Sequence, residues 1–172
     1  MSDPAPKRLP SQSHSPAADH QIIVHDPEPK AESEKWYELT VKVQPHHTDY
    51  GGIVWHGNYL QWLETARIEC LASLGINFVD LVKLGCDLPV VDLSLRYHRP
   101  LRLGQTALVK TQMQEIRTVR LEWLERVECI ETNKLCVSGK VTLVAIDQAK
   151  GKILRQLPPE FEAALVRGYA SK

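Results

Sequence analysis

From Trp36 onward the apolar positions of the chain recur with two alternating periods. Tyr37, Leu39, Val41 and Val43 alternate with Glu38, Thr40 and Lys42, the signature of a strand with one buried face. The period then lengthens. Leu60, Leu63, Ala66, Cys70, Leu71 and Leu74 return at helical spacing, behind an Asn58-x-x-Gln61 pair that reads as a variant capping box. With Gly75 as the stop, this predicts a helix over 59–74 and a shorter helical piece near 77–84, before Gly85. Alternation resumes with Val91, Leu93, Leu95 and Tyr97 set against Asp92, Ser94, Arg96 and His98, and Pro100 ends that strand. A second strand follows Gly104 over roughly 105–116. Val119, Leu121, Trp123, Val127 and Cys129 make one face of a third, with Glu125 the exception on it. Leu135, Val137, Val141, Leu143 and Ala145 make a fourth, closed by Asp147–Gly151. Pro158-Pro159-Glu160 opens a terminal helix over 159–168. Short connections favour antiparallel pairing. The layout is α+β: one early apolar helix wrapped by an antiparallel sheet, whose exposed edge invites self-association.

Composition changes this picture at one end only. Residues 1–35 hold six of the eleven prolines and almost no aromatic residues, so they are expected to form a disordered head, with the folded domain spanning 36–172. Its histidines, His14, His20 and His25, stand too far apart to suggest a metal site. The 21 basic and 21 acidic side chains balance, which gives no pull toward nucleic acid or an anionic membrane. No apolar run approaches the length of a membrane span, and the longest near the start, Ile22-Ile23-Val24, is too short for a signal peptide. A cytoplasmic protein is expected. Cys70, Cys86, Cys129 and Cys136 form no C-x-x-C pair, which argues for reduced thiols and against a zinc cage, although Cys129 and Cys136 flank a predicted turn.

Candidate chemistry concentrates between the first strand and the long helix, in Pro45-His46-His47-Thr48-Asp49-Tyr50-Gly51-Gly52-Ile53-Val54-Trp55-His56-Gly57-Asn58. Two adjacent glycines allow close approach of a ligand. Unpaired amides at the helix start, around His56 to Tyr59, form a site for developing negative charge. Asp49 precedes the glycines and can reach the same space. Spacing alone fits equally well an Asx turn with a helix cap behind it.

The run from Thr48 to Glu64, T-D-Y-G-G-I-V-W-H-G-N-Y-L-Q-W-L-E, resembles the signature of the hotdog-fold thioesterases of the 4-hydroxybenzoyl-CoA thioesterase group, including the Tol-Pal-associated acyl-CoA thioesterases. Tyr97-His98-Arg99-Pro100 matches the Y-x-x-P element of that family, and the likeness covers about residues 36–157. It implies a hotdog fold, with a five-stranded antiparallel sheet around a long central helix. It also implies hydrolysis of an aromatic or short to medium acyl-CoA to free acid and CoA, without metal or cofactor. Asp49 corresponds to the catalytic carboxylate, as nucleophile or as general base on water. The amide near His56 would polarise the carbonyl, and the His56 side chain would orient substrate or water. Tyr50, Gly52, Ile53, Val54, Trp55, Gly57 and Tyr59 are the candidate substrate contacts, with Tyr50 standing where a small residue is usual. The same resemblance implies a homodimer or homotetramer with active sites at the interface.

Other residues compete. Glu64 is the rival carboxylate, because a related branch carries its catalytic acid on this helix, although an i,i+3 pair with Arg67 explains it more simply. Of His46 and His47, an extended segment would face at most one toward the site. Tyr59, Trp62 and Leu63, near Trp55, are expected to line an acyl pocket. The cations Arg96, Arg99, Arg102, Arg117, Arg120, Arg126 and Lys134 are available for CoA phosphates. Two other functions stay open. A hotdog dehydratase lacks support, since neither H-F-P-x-x-P nor D-x-N-P-x-H occurs in the chain. A non-catalytic module binding an acyl thioester or a protein is the third.

Overall fold

The computed structural model describes residues 36–170, so the expected head over 1–35, with its three histidines, lies outside the described residues. The elements are β1 (Tyr37–Lys42), α1 (His56–Ser73), α2 (Phe78–Lys83), β2 (Cys86–Asp87), β3 (Val90–Tyr97), β4 (Thr106–Arg117), β5 (Arg120–Cys129), β6 (Lys134–Val144), β7 (Ile146–Asp147), β8 (Lys152–Ile153) and α3 (Pro159–Ala170). Five strands make the main sheet in the order β1-β4-β5-β6-β3, and every neighbouring pair is antiparallel. The expected α+β layout of a helix against a five-stranded sheet is therefore present. A second, three-stranded sheet, β2-β7-β8, was not foreseen, since two-residue strands leave no period to read.

Helix α1 buries Tyr59, Trp62, Leu63, Ala66, Cys70 and Leu71, the stripe that its three- and four-residue spacing dictates. Its first half packs with Val43, Val54, Leu101, Val109, Val127 and Val137. Its second half joins Trp123, Val141, Phe161 and Leu165 in a separate cluster. Fully burying each such side chain contributes about 1.5–3 kcal/mol. Strand β5 buries every second residue, including Glu125 at 1% exposure.

Helix α1 begins three residues earlier than its sequence predicts. Trp55 occupies the N-cap position, and Asn58 lies inside the first turn, where its Nδ2 donates to the His47 carbonyl at 2.7 Å. Asn58 ties the helix to the preceding loop instead of capping it. The loop itself departs from extended geometry, because Pro45–His47 form a 3-10 turn in which His47 Nδ1 accepts the Gln44 amide. Proline sits at the first turn position, where its missing donor costs nothing.

The predicted pairing of Glu64 with Arg67 is not the one formed. Arg67 Nη1 bonds Glu125 across the core, with both side chains buried, while Glu64 remains exposed. That is why a carboxylate sits on the apolar face of β5. All four cysteines are free and buried, and among the described residues no helix is long and apolar enough to cross a membrane.

Candidate active site

The chain between β1 and α1 folds back on itself. Thr48 and Val54 bridge in antiparallel fashion, and Asp49 N–H donates to the Ile53 carbonyl at 2.8 Å. The Asp49 side chain closes the turn: its Oδ1 accepts from Gly51 N at 2.8 Å and from Ile53 N at 3.2 Å. The Asx turn foreseen as the plain alternative thus exists, and it fixes the carboxylate. Asp49 remains exposed, and its Oδ2 takes no hydrogen bond among the described residues. Gly52 holds φ at +71°, a conformation that side-chain-bearing residues rarely adopt.

The first turn of α1 follows at once. The amides of His56 and Gly57 fall at its first two positions, where no carbonyl lies behind them within the helix. Gly57 has a steric duty as well, since a Cβ there would stand 2.1 Å from the Trp55 ring, which folds across it. Tyr97 donates its hydroxyl to the His56 carbonyl at 3.2 Å, pinning this turn to the end of β3. Tyr59 is buried beneath, and its hydroxyl accepts the Leu101 amide at 3.0 Å. Burial pushes the Tyr59 phenol up to about 12, so it stays protonated at neutral pH. Desolvation, with His46 beside it, holds the His47 imidazole below the ordinary histidine value.

A cavity of about 260 Å³ opens here, lined by Ile53, Val54, His56, Tyr59, Tyr97, His98, Arg99 and Pro100. Four of the anticipated site residues, Ile53, Val54, His56 and Tyr59, therefore share one wall. Asp49, Tyr50, Gly52, Trp55 and Gly57 stand on the adjoining loop and first turn but do not line it. Tyr50 is fully exposed and Trp55 half-exposed. Trp62 and Leu63, expected in a pocket, are core residues instead. Sequence reasoning passed over the lining residues Tyr97 and His98 as functional groups, although the Y-x-x-P element contained both. Of the candidate cations, Arg99 lines the cavity, whereas Arg126 stacks on the Trp36 ring.

Helix, sheet and glycine-containing loop define a hotdog domain with an open amide-rich helix start. Residues 51–136 match the Thioesterase superfamily. A putative esterase of Synechocystis is 62% identical over 167 residues, which cover 97% of this chain and 98% of that relative. The acyl-CoA thioester hydrolase YbgC of Escherichia coli is 29% identical over 127 residues, covering 74% of this chain and 93% of its own. Among solved structures, a DHNA-CoA thioesterase from Staphylococcus aureus aligns with a TM-score of 0.71 at 26% identity, covering 78% of this chain and 91% of that one. The chain belongs to the Thioesterase superfamily, a family of hotdog-fold thioester hydrolases.

Proposed function

We propose that the protein hydrolyses an acyl-CoA thioester to free acid and CoA, with Asp49 carrying the chemistry. The observation that supports this most is the placement of Asp49. Two loop amides clamp Oδ1, leaving Oδ2 free on the loop that leads into the His56 and Gly57 amides at the start of α1. A carboxylate held this way loses little freedom on reaction, which is the advantage of a positioned nucleophile or base. Oδ2 attacks the thioester carbonyl, or takes a proton from the water that does. Charge developing on the carbonyl oxygen meets the helix-start amides, a contribution of roughly 10²–10³ in rate. The thiolate of CoA then departs, and the acid follows after hydrolysis. No metal or cofactor enters these steps.

A second copy of the chain completes the site in this reading. Strand β3 is a sheet edge that exposes Val90, Val91, Leu93 and Tyr97, an apolar row that solvent does not favour. Edge-to-edge pairing about a two-fold axis covers it in a homodimer, which a homotetramer would extend.

The test is release of free thiol from a panel of aromatic and short to medium acyl-CoAs. Asp49→Asn is expected to lower kcat by about 10²–10⁴-fold with assembly unchanged. Glu64→Gln is expected to keep kcat within a few fold of wild type. Full activity in Asp49→Asn, or collapse in Glu64→Gln alone, moves the carboxylate to the helix and overturns the assignment.

A further inference from the structure

Tyr97 closes β3 and reaches the first turn of α1, where its hydroxyl donates to the His56 carbonyl at 3.2 Å. That carbonyl and the Gly57 N–H belong to one peptide group. We propose that Tyr97 is a positioning residue for the hydrolysis. Through the shared peptide it fixes the direction of the Gly57 amide and strengthens it as a donor to the thioester oxygen. This rests on the thioesterase reading and deepens it, by naming the group that tunes a helix-start amide.

The electronic part follows from resonance. A peptide C–N bond has partial double-bond character, so a hydrogen bond that draws electron density onto the carbonyl oxygen leaves the N–H more positive. A carbonyl oxygen has two lone pairs. In a helix that begins at His56, one of them meets the amide of residue 60. The other is left for a donor from outside the helix, and Tyr97 supplies it. The His56 amide belongs instead to the Trp55 peptide, whose carbonyl accepts the Asn58 amide of the same turn. Of these two amides, Gly57 is the one set by a side chain of another element.

The geometric part follows from how Tyr97 is held. Its backbone pairs with Val137 of β6, and its ring meets the Tyr59 ring edge-on with centroids 5.7 Å apart. Tyr59 is itself buried, with its hydroxyl on the Leu101 amide. On the other side, the Trp55 ring folds over Gly57. A donor fixed in this way needs no reorganisation as charge develops on the substrate. Tyr97 is 48% exposed in the single chain, on the strand edge that the proposed second copy covers. Removing water there strengthens the bond to His56, so donor strength rises with assembly.

The size of the effect can be bounded. Cooperative strengthening of a hydrogen bond amounts to about 10–30%, and an oxyanion donor is worth about 10²–10³ in rate. Removing the hydroxyl is therefore expected to lower kcat about 2- to 8-fold.

Tyr97→Phe deletes the hydroxyl and keeps the ring against Tyr59, and two readouts on the full chain test it. The first is thiol release, at concentrations where sedimentation shows equal associated fractions of variant and wild type. There kcat should fall about 2- to 8-fold with KM unchanged, the mark of an interaction made in the transition state. The second is magnetic resonance of one peptide. His-Gly occurs once in the sequence, at His56-Gly57, so histidine labelled at its carbonyl carbon and glycine labelled at nitrogen together select it. Loss of the hydroxyl should move both the carbonyl carbon and the amide proton of that peptide upfield. An unmoved signal overturns the proposal, and with a lowered kcat it places the hydroxyl on the substrate itself. A moved signal with wild-type kcat, or with a loss confined to KM, overturns it too. Should the variant assemble too weakly for matched fractions, the labelled signal decides alone. Asp49→Asn should keep the wild-type signal. Absence of thiol release from wild type would instead sink the thioesterase reading, with the labelled peptide still reporting the Tyr97 bond.

Discussion

Strands β3 and β5 carry the same period-two alternation, yet the structure treats them oppositely. In β5, Leu121, Trp123, Val127 and Cys129 are buried beneath α1 and between two neighbouring strands. In β3, Val91, Leu93 and Tyr97 are 51%, 43% and 48% exposed, and only Leu95, pressed against Gly139 of β6, is half-buried. The other edge strand differs again. Strand β1 turns Glu38, Thr40 and Lys42 to solvent, the polar dressing of an edge meant to stay unpaired. Alternation thus reports that a strand has an apolar face, without saying whether its own chain or another covers it.

Trp123→Ala should break the buried side of this comparison most severely. Removing a fully buried indole from the core is expected to cost about 3–5 kcal/mol, read as a fall in the urea midpoint. A loss below about 1 kcal/mol would mean that β5 is not the packed centre it resembles. Leu93→Lys probes the exposed side, where the side chain is 43% exposed and its backbone pairing with Val141 does not depend on it. Its far-ultraviolet circular dichroism should match wild type, with any change in the stability of the single chain within about 0.5 kcal/mol. The smallest effect falls at the β5–β6 hairpin. Glu131 accepts from the amide and hydroxyl of Thr106, which hold its carboxyl down at about 2. A depressed folded value means that the contribution is present above the ordinary carboxylate range and is lost as pH falls toward 2. Glu131→Gln should therefore lower stability slightly at neutral pH and flatten the acid limb between about 4.5 and 2. An unchanged acid limb would remove Glu131 from the account.

Much of the fold was legible because strand and helix periods are local properties. Strands β1, β3, β5 and β6 appeared where alternation placed them, β4 where Gly104 opened it, and α2 and α3 followed their punctuation by glycine and proline. The start of α1 was misread because asparagine is a favoured cap, whereas Asn58 uses its side chain on the His47 carbonyl. Nothing local links Arg67 to Glu125, which lie 58 residues apart. A carboxylate interrupting an apolar face was the one available signal of a buried partner. The reactive loop was legible through its motif, but the motif left the Asx turn and the reactive carboxylate as alternatives, whereas Asp49 closes the turn through Oδ1 alone. Nor could the motif separate the wall formed by Ile53, Val54, His56 and Tyr59 from the aromatic side chains of Tyr50 and Trp55 exposed on the adjoining loop.

The central claim is that β3 belongs to an interface which completes the site, and specific activity measured against assembly state tests it most directly. Sedimentation velocity and thiol release are followed together for wild type and Leu93→Lys across a dilution series. The account predicts that activity per chain follows the associated fraction, and that a monomeric Leu93→Lys protein with native circular dichroism has lost at least about 100-fold in kcat/KM. A folded monomer that hydrolyses acyl-CoA at the wild-type rate per chain would contradict it.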